Sequence, residues 1–442
     1  MPKRIAIIGG GSSTFTPELV RHCMASTLLS GSTLVLMDID PERLETMEVL
    51  AKRWINRRGV DLQTEITTDR TEALLGADYV IVAISVGGFD AWEHDIEIPA
   101  RYGVYMPIAD TVGPGGIMRG LRHIPILADI AQDVRAVAPT AWVFNYTNPL
   151  AATCLGAIQQ GLLQIAGLCT CACNPRVARY VPHLAEGVMD IAPKDLILPA
   201  PAAGLNHCGV FLQLRMKDGR DALPLVGAKV ADPTTKWVLD TFGVLPYAGG
   251  HFAEHYPPLC HPAEPYRGRM QSLLMESGIR AHDMNHERKR AQQWQDLVQQ
   301  SIRDDEEFAL EGLPEDEGVE VVSIIEAMIS NSGAIHMSNM PNRGAIDNLP
   351  DEAIVEVSSS VGTYGITPLH VGALPEALAD ILKPHVLVQR LSVEAALSGD
   401  RKAALQAFLA DPMISSALSV TQIERMLDDM LAVHAPHLPR FA

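Results

Sequence analysis

Three short runs in the chain carry side chains that could do chemistry together. Asn145-Tyr146-Thr147-Asn148-Pro149 follows the apolar run 142–144, Cys169-Thr170-Cys171-Ala172-Cys173 begins where the apolar run 164–169 ends, and Gly204-Leu205-Asn206-His207 lies further on. A thiolate and an imidazole converging on one crevice suit a divalent transition metal that keeps positions open for substrate oxygens. Pro149 pushes Asn148 toward an extended backbone, from which its amide can point into the same crevice. If the strand through 169 continues, side chains alternate and all three thiols share a face. Each run also has a plainer reading. A buried cysteine is a small hydrophobe, a lone histidine is usually a satisfied core residue, and Asn148-Pro149 suits a helix start with Asn148 as N-cap.

The elements that must position these residues read as alternating strands and helices. Short apolar runs at 5–8, 33–37, 79–84, 142–144 and 164–169 have the pattern of buried strands, and 42–58 and 120–136 that of amphipathic helices. Strand–helix alternation predicts an α/β fold: an N-terminal Rossmann-like doubly wound parallel sheet over 1–203. The remainder, 204–442, reads as a mixed α+β domain for substrate, metal and oligomerisation. The stretch 292–320 reads as a solvated helix face plus loop. The absence of a flexible linker predicts that the halves pack as one body.

Gly9-Gly10-Gly11-Ser12-Ser13-Thr14 sits between the first strand and a helix opened by Thr16-Pro17-Glu18, with Thr16 expected as N-cap and Pro17 in the first helical position. Gly9 and Gly11 let the backbone approach a pyrophosphate, and the helix N-terminus with Ser12, Ser13 and Thr14 offers donors. The usual third glycine is Thr14. Asp38, closing the second strand, is placed to accept from a ribose hydroxyl and select NAD, with Arg43 nearby as a counter-indication.

Composition bounds the partners. A net charge of -18 over 442 residues argues against nucleic acid and anionic membranes, and no run approaches a membrane span. The apolar run after Met1-Pro2-Lys3-Arg4 ends at once in glycines, so no secretory signal is expected. Seven cysteines, three of them crowded together, read as reduced thiols of a cytoplasmic protein and not as a disulfide framework.

With those residues in view, the ordered set resembles the family-four glycoside hydrolases. It runs Ile7-Ile8-Gly9-Gly10-Gly11-Ser12, Asp38-Ile39-Asp40, Asp110-Thr111-Val112-Gly113-Pro114-Gly115-Gly116-Ile117-Met118-Arg119, then the three runs above, and finally Met340-Pro341-Asn342-Arg343-Gly344-Ala345-Ile346 and Leu349-Pro350. The resemblance implies an enzyme that depends on NAD and on Mn2+ or another divalent metal, and that departs from the two-carboxylate scheme. It implies transient oxidation of the sugar at C3, removal of the C2 proton, elimination of the aglycone, addition of water and return of the hydride, with a Lewis-acidic metal at the C2 and C3 oxygens. It further implies Cys169 and His207 as metal ligands, with Cys171 and Cys173 as alternatives. Asn148 would contact the sugar hydroxyls beside the nicotinamide, and Asp110 would bind substrate or water near the metal. Tyr247 is the candidate C2 base, followed by His251. Thr170 stands where relatives carry Asp, Asn or His, so no leaving-group acid is assigned there.

Trp92 stands where phosphosugar members carry an arginine, which removes a bidentate phosphate clamp. Asp110 to Gly116 and His251-Phe252-Ala253-Glu254 resemble the unphosphorylated branch of α-galacturonidases, α-galactosidases and α-glucosidases. An α-galacturonidase is the expectation; Arg119, Arg122, His123 and His251 are the cations near enough in sequence to meet a uronate, with Arg119 and His123 foremost. The alternatives are a neutral α-galactosidase or α-glucosidase, an NAD-dependent dehydrogenase of the malate or lactate type, and a nucleotide sensor that is not an enzyme. A homodimer or homotetramer is expected.

Overall fold

The computed structural model describes residues 1–170, 195–197, 200–227, 233–247, 249–260, 284–304 and 320–441. The apolar runs become strands as expected: β1 (Arg4–Ile8), β2 (Ser32–Met37), β4 (Tyr79–Val82), β5 (Trp142–Asn145) and β6 (Ile165–Gly167). One strand of the parallel half was not foreseen. β3 (Leu62–Thr67) has the sequence LQTEIT and is half exposed at the sheet edge, so it lacks the continuous apolar run of a buried strand. The parallel order β3-β2-β1-β4-β5-β6 places a topological switch between β1 and β4, beside the carboxyl end of β1 where ligands of such sheets bind.

The sheet does not stop there. β10 (Ala334–Pro341) pairs antiparallel with β6, and β11 (Ile354–Gly362), β7 (Ala202–Leu205), β8 (Cys208–Phe211) and β9 (Leu245–Pro246) continue it, with β12 (Gly365–Pro368) also on β11. The division expected at 203/204 falls inside β7. The two halves are therefore joined by strand pairing, and also by helices. Glu376–Ser398, Arg401–Ala410 and Val420–His434 bury Val388, Phe408, Met426 and Met430 against Ile98, Leu121 and Ile124 of Gly88–Arg101 and Gly113–Val137.

Local chemistry sets the element ends. Asp40 caps the helix Pro41–Arg58 by accepting from the amides of Glu42 and Arg43, and left-handed Gly59 ends it. The first helix departs from expectation. It begins at Phe15 with Thr14 at the N-cap, because the Thr16 hydroxyl turns back to the Gly10 carbonyl at 2.9 Å and Pro17 falls in the first turn. Asn148 is not a cap either: Pro149 holds that position before Leu150–Gln159. β6 ends at Gly167, so Cys169 lies beyond the strand, and Cys171 and Cys173 lie outside the described residues. The solvated helix face expected at the start of 292–320 belongs to the helix Met284–Asp304, and the loop expected after it falls on 305–319, outside the described residues. No described helix is long and apolar enough to cross a membrane.

Candidate active site

At the β1 end, Gly9 and Gly10 donate to the Met37 carbonyl at 2.9 and 2.8 Å, folding the glycine turn over the end of β2. Gly9 has φ +98°, and a Cβ there would lie 2.1 Å from the Ala83 carbonyl oxygen, so only glycine fits. The amide of Gly11 donates to Asp38 Oδ2 at 2.9 Å, and the amide of Asp40 to Oδ1 at 3.1 Å. Ser12 and Thr14 hydroxyls stand 3.2 Å apart, and Ser12 also accepts from the Phe15 amide. Ser13 is partly exposed beside them. The result is a close-wound cradle at a helix N-terminus, suited to a pyrophosphate. Arg43 faces Asp40 at 3.1 Å.

A second polar group gathers near the carboxyl end of β5. The Asn145 side chain accepts from the Thr147 amide at 3.0 Å and donates to Thr153 at 2.9 Å, and Thr147 Oγ1 accepts from the Ile84 amide. That staple presents Asn148, whose Nδ2 donates to Asp110 Oδ2 at 2.8 Å. Asp110 arrives on the segment before the helix Gly113–Val137, following Ala109 in a left-handed conformation (φ 60°). His207 arrives on the β7–β8 turn, itself left-handed (φ 66°). His251 lies on the helix Gly249–His255.

Asp110, His207 and His251 have donor atoms within 4.8 Å of one another, the one such trio of His, Cys, Asp or Glu among the described residues. Asp110 Oδ1 is 3.6 Å from His207 Nδ1 and 3.7 Å from His251 Nδ1, beyond hydrogen bonding. His251 Nδ1 is buried with no hydrogen-bond partner. A carboxylate and two imidazoles gathered this closely fit a cation site. Burial opposes ionisation of Asp110, but His207, His251 and Arg119 around it outweigh that and hold its carboxyl well below the usual range. The Thr111 hydroxyl donates to Asp110 at 2.7 Å and meets His207 Nδ1 at 2.7 Å. A hydroxyl has one hydrogen and the carboxylate can only accept, so His207 Nδ1 must donate to Thr111.

Other expected site residues fall elsewhere. Cys169 is partly buried against an apolar cluster that includes Tyr247, outside the trio. Tyr247 is buried and donates to Glu356 Oε2 at 2.8 Å; burial and the neighbouring Glu356 push its phenol well above the usual value. Glu356 accepts through Oε1 from Asn339 at 2.6 Å and Asn206 at 3.2 Å. His123 is not available to a ligand: Nδ1 bonds the Arg119 carbonyl at 2.8 Å and Nε2 accepts from the Val86 amide at 3.0 Å. Arg122 is bound in a buried bidentate pair with Asp95 at 2.9 and 2.6 Å. Arg119 is different. Its guanidinium lies 5.7 Å over the Trp92 ring, and its Nε is buried without a partner. Residues whose roles the sequence did not disclose are Thr111, Glu254 and Glu356; a lone glutamate inside the strand sequence IVEVSSSVG was the visible signal for the last.

A doubly wound sheet with a glycine-turned phosphate cradle and a carboxylate–imidazole group beside it defines a nucleotide-dependent α/β enzyme class. Residues 4–181 match the family described as family 4 glycosyl hydrolase, and residues 202–414 match its C-terminal domain. The chain belongs to family 4 of the glycosyl hydrolases. An α-galactosidase of Bacillus subtilis (strain 168) is 32% identical, with 99% of this chain and 100% of that protein covered. An α-galacturonidase of the same organism is 30% identical, covering 97% and 96%. A crystal structure of a 6-phospho-α-glucosidase from gut microorganisms, in complex with NAD and Mn2+, superposes with a TM-score of 0.82 at 24% identity, covering 99% of each chain.

Proposed function

We propose that this enzyme hydrolyses α-galacturonides with NAD and a divalent metal such as Mn2+ as cofactors. The observation that carries the uronide reading is Arg119, a partly buried cation stacked over Trp92 with an unpartnered Nε, beside Asp110. Of the expected cations, Arg122 and His123 are engaged within the protein, which leaves Arg119 for a substrate carboxylate. Trp92 in place of the phosphosugar arginine supports an unphosphorylated substrate. The relative named α-galactosidase supports a neutral α-galactoside as the second reading.

The residues divide the work. Gly9, Gly11, Ser12, Ser13, Thr14 and Asp38 hold NAD; His207 and Asp110 hold the metal, with Cys169, outside the trio, as the further ligand that the family resemblance implies. Bound, the two cofactors supply a reversible hydride acceptor and a Lewis acid of several kcal/mol. Asn148, anchored on Asp110, orients the sugar hydroxyls. His251 takes the C2 proton, because its unpartnered Nδ1 faces the group. Tyr247 supports from behind, its hydroxyl committed to Glu356.

A panel of nitrophenyl α- and β-glycosides, uronides and 6-phosphates, assayed with NAD, Mn2+ and a reducing agent, tests this. The expected result is fastest cleavage of the α-galacturonide with no net NADH. Preference for the neutral α-galactoside would replace the uronide reading, and NADH formed in step with product would replace hydrolysis by a plain dehydrogenation.

A further inference from the structure

Glu254 lies one turn beyond His251 on the helix Gly249–His255, and its side chain is 1% exposed. Its Oε1 accepts from the amides of both Ile108 and Ala109, at 2.6 and 2.9 Å. These amides immediately precede Asp110, at the point where Ala109 adopts a left-handed backbone that alanine rarely takes. Without Glu254 both amides would be buried donors without partners. The seat is firm: Phe252 and Ala253 of the same helix share an apolar cluster with Val104, Met106 and Ala109.

We propose that Glu254 is a positioning residue whose carboxylate fixes Asp110 against His251 and so sets the affinity of the site for a divalent cation. The inference rests on the metal-dependent reading above. One short helix carries both the proton acceptor and the anchor of the carboxylate opposite it. Two hydrogen bonds to backbone therefore set the segment that carries Asp110, while Asn148 and Thr111 hold its carboxylate oxygens at the 3.7 Å gap from His251. Glu254 Oε2 is buried with no partner, so the second oxygen takes no part in this anchoring. An amide in its place would keep both bonds, since the glutamine oxygen can accept from the two amides.

The experiment measures Mn2+ binding to the full chain by paramagnetic resonance of free Mn2+, with NAD affinity measured in parallel. Glu254→Ala should weaken Mn2+ binding about 10–100-fold, the usual effect of losing a partner behind a metal ligand, and leave NAD affinity unchanged. Glu254→Gln should bind Mn2+ close to wild type. Should the alanine variant not fold, Glu254→Asp, which keeps the charge but is a methylene too short for both amides, is expected to show the same weakening. Asp110→Asn separates the two levels of the claim. If it loses Mn2+ while Glu254→Ala and Glu254→Asp bind as wild type does, the positioning role is overturned and the metal site stands. If Asp110→Asn itself binds Mn2+ normally, Asp110 is no ligand, and the inference falls with that assignment.

Discussion

Glu254 also reports on the electrostatics of the site. Burial raises its pKa from 4.5 to about 7, with Asp110 adding to the rise and the two backbone amides and His251 opposing it. A raised acid contributes stability that is complete below the unfolded value and is lost as pH climbs through the folded one. In metal-free protein, wild type should therefore lose stability relative to Glu254→Gln between pH 4.5 and about 7 and level off above. The total is on the order of 3 kcal/mol. Thermal melts in chelator across that window check it; a difference that does not change with pH contradicts it. Asn148 and His207 were legible as candidates in short polar runs that also had plainer readings, and Asp110 only through the family resemblance. Glu254 was not, since nothing in its neighbours says which amides it will reach across the fold. Tyr247 and His251 were legible as a pair of candidates. Which one faces the metal-site group depends on Glu356, a residue far along the chain that captures the tyrosine hydroxyl.

At the scale of elements, Asp95, Arg122 and His434 tie the helices Gly88–Arg101, Gly113–Val137 and Val420–His434 into one unit. His434 Nε2 approaches Asp95 at 3.0 Å, and the Arg122 and Asp95 side chains are 1% and 0% exposed. Removing one partner of such a pair leaves a buried charge, so Arg122→Met should cost about 3–5 kcal/mol by urea unfolding. Adding Asp95→Leu should recover part of that, and kcat/KM per folded molecule should stay near wild type, because Arg122 serves the helices. A drop in kcat/KM without loss of stability would return Arg122 to the substrate site. Periodicity disclosed the helices themselves, but their partners are non-local. The sheet shows the same limit: buried parallel strands announce themselves as apolar runs, whereas β3 with its alternating polar edge does not. Nor does any local signal say that β10 and β11 will join β6 to β7.

Across the whole molecule, the continuous sheet explains how residues so far apart in sequence act together. Strands and loops of the parallel half deliver the glycine turn, Asn148 and Asp110, and the antiparallel half delivers His207, with His251 on a helix beyond it. A formal charge of -18 leaves an anionic sugar dependent on a local cation, the place given to Arg119. The central claim is that hydrolysis proceeds through removal of the C2 proton by His251 while NAD turns over without net change. Cleavage of the preferred α-glycoside in heavy water, with product analysed by proton NMR and mass spectrometry, tests it most directly. The account predicts deuterium at C2 of the released sugar with wild type and Tyr247→Phe. With His251→Ala it predicts neither exchange nor cleavage. Hydrolysed product with no deuterium at C2 would contradict it, since a two-carboxylate glycosidase never breaks that C–H bond.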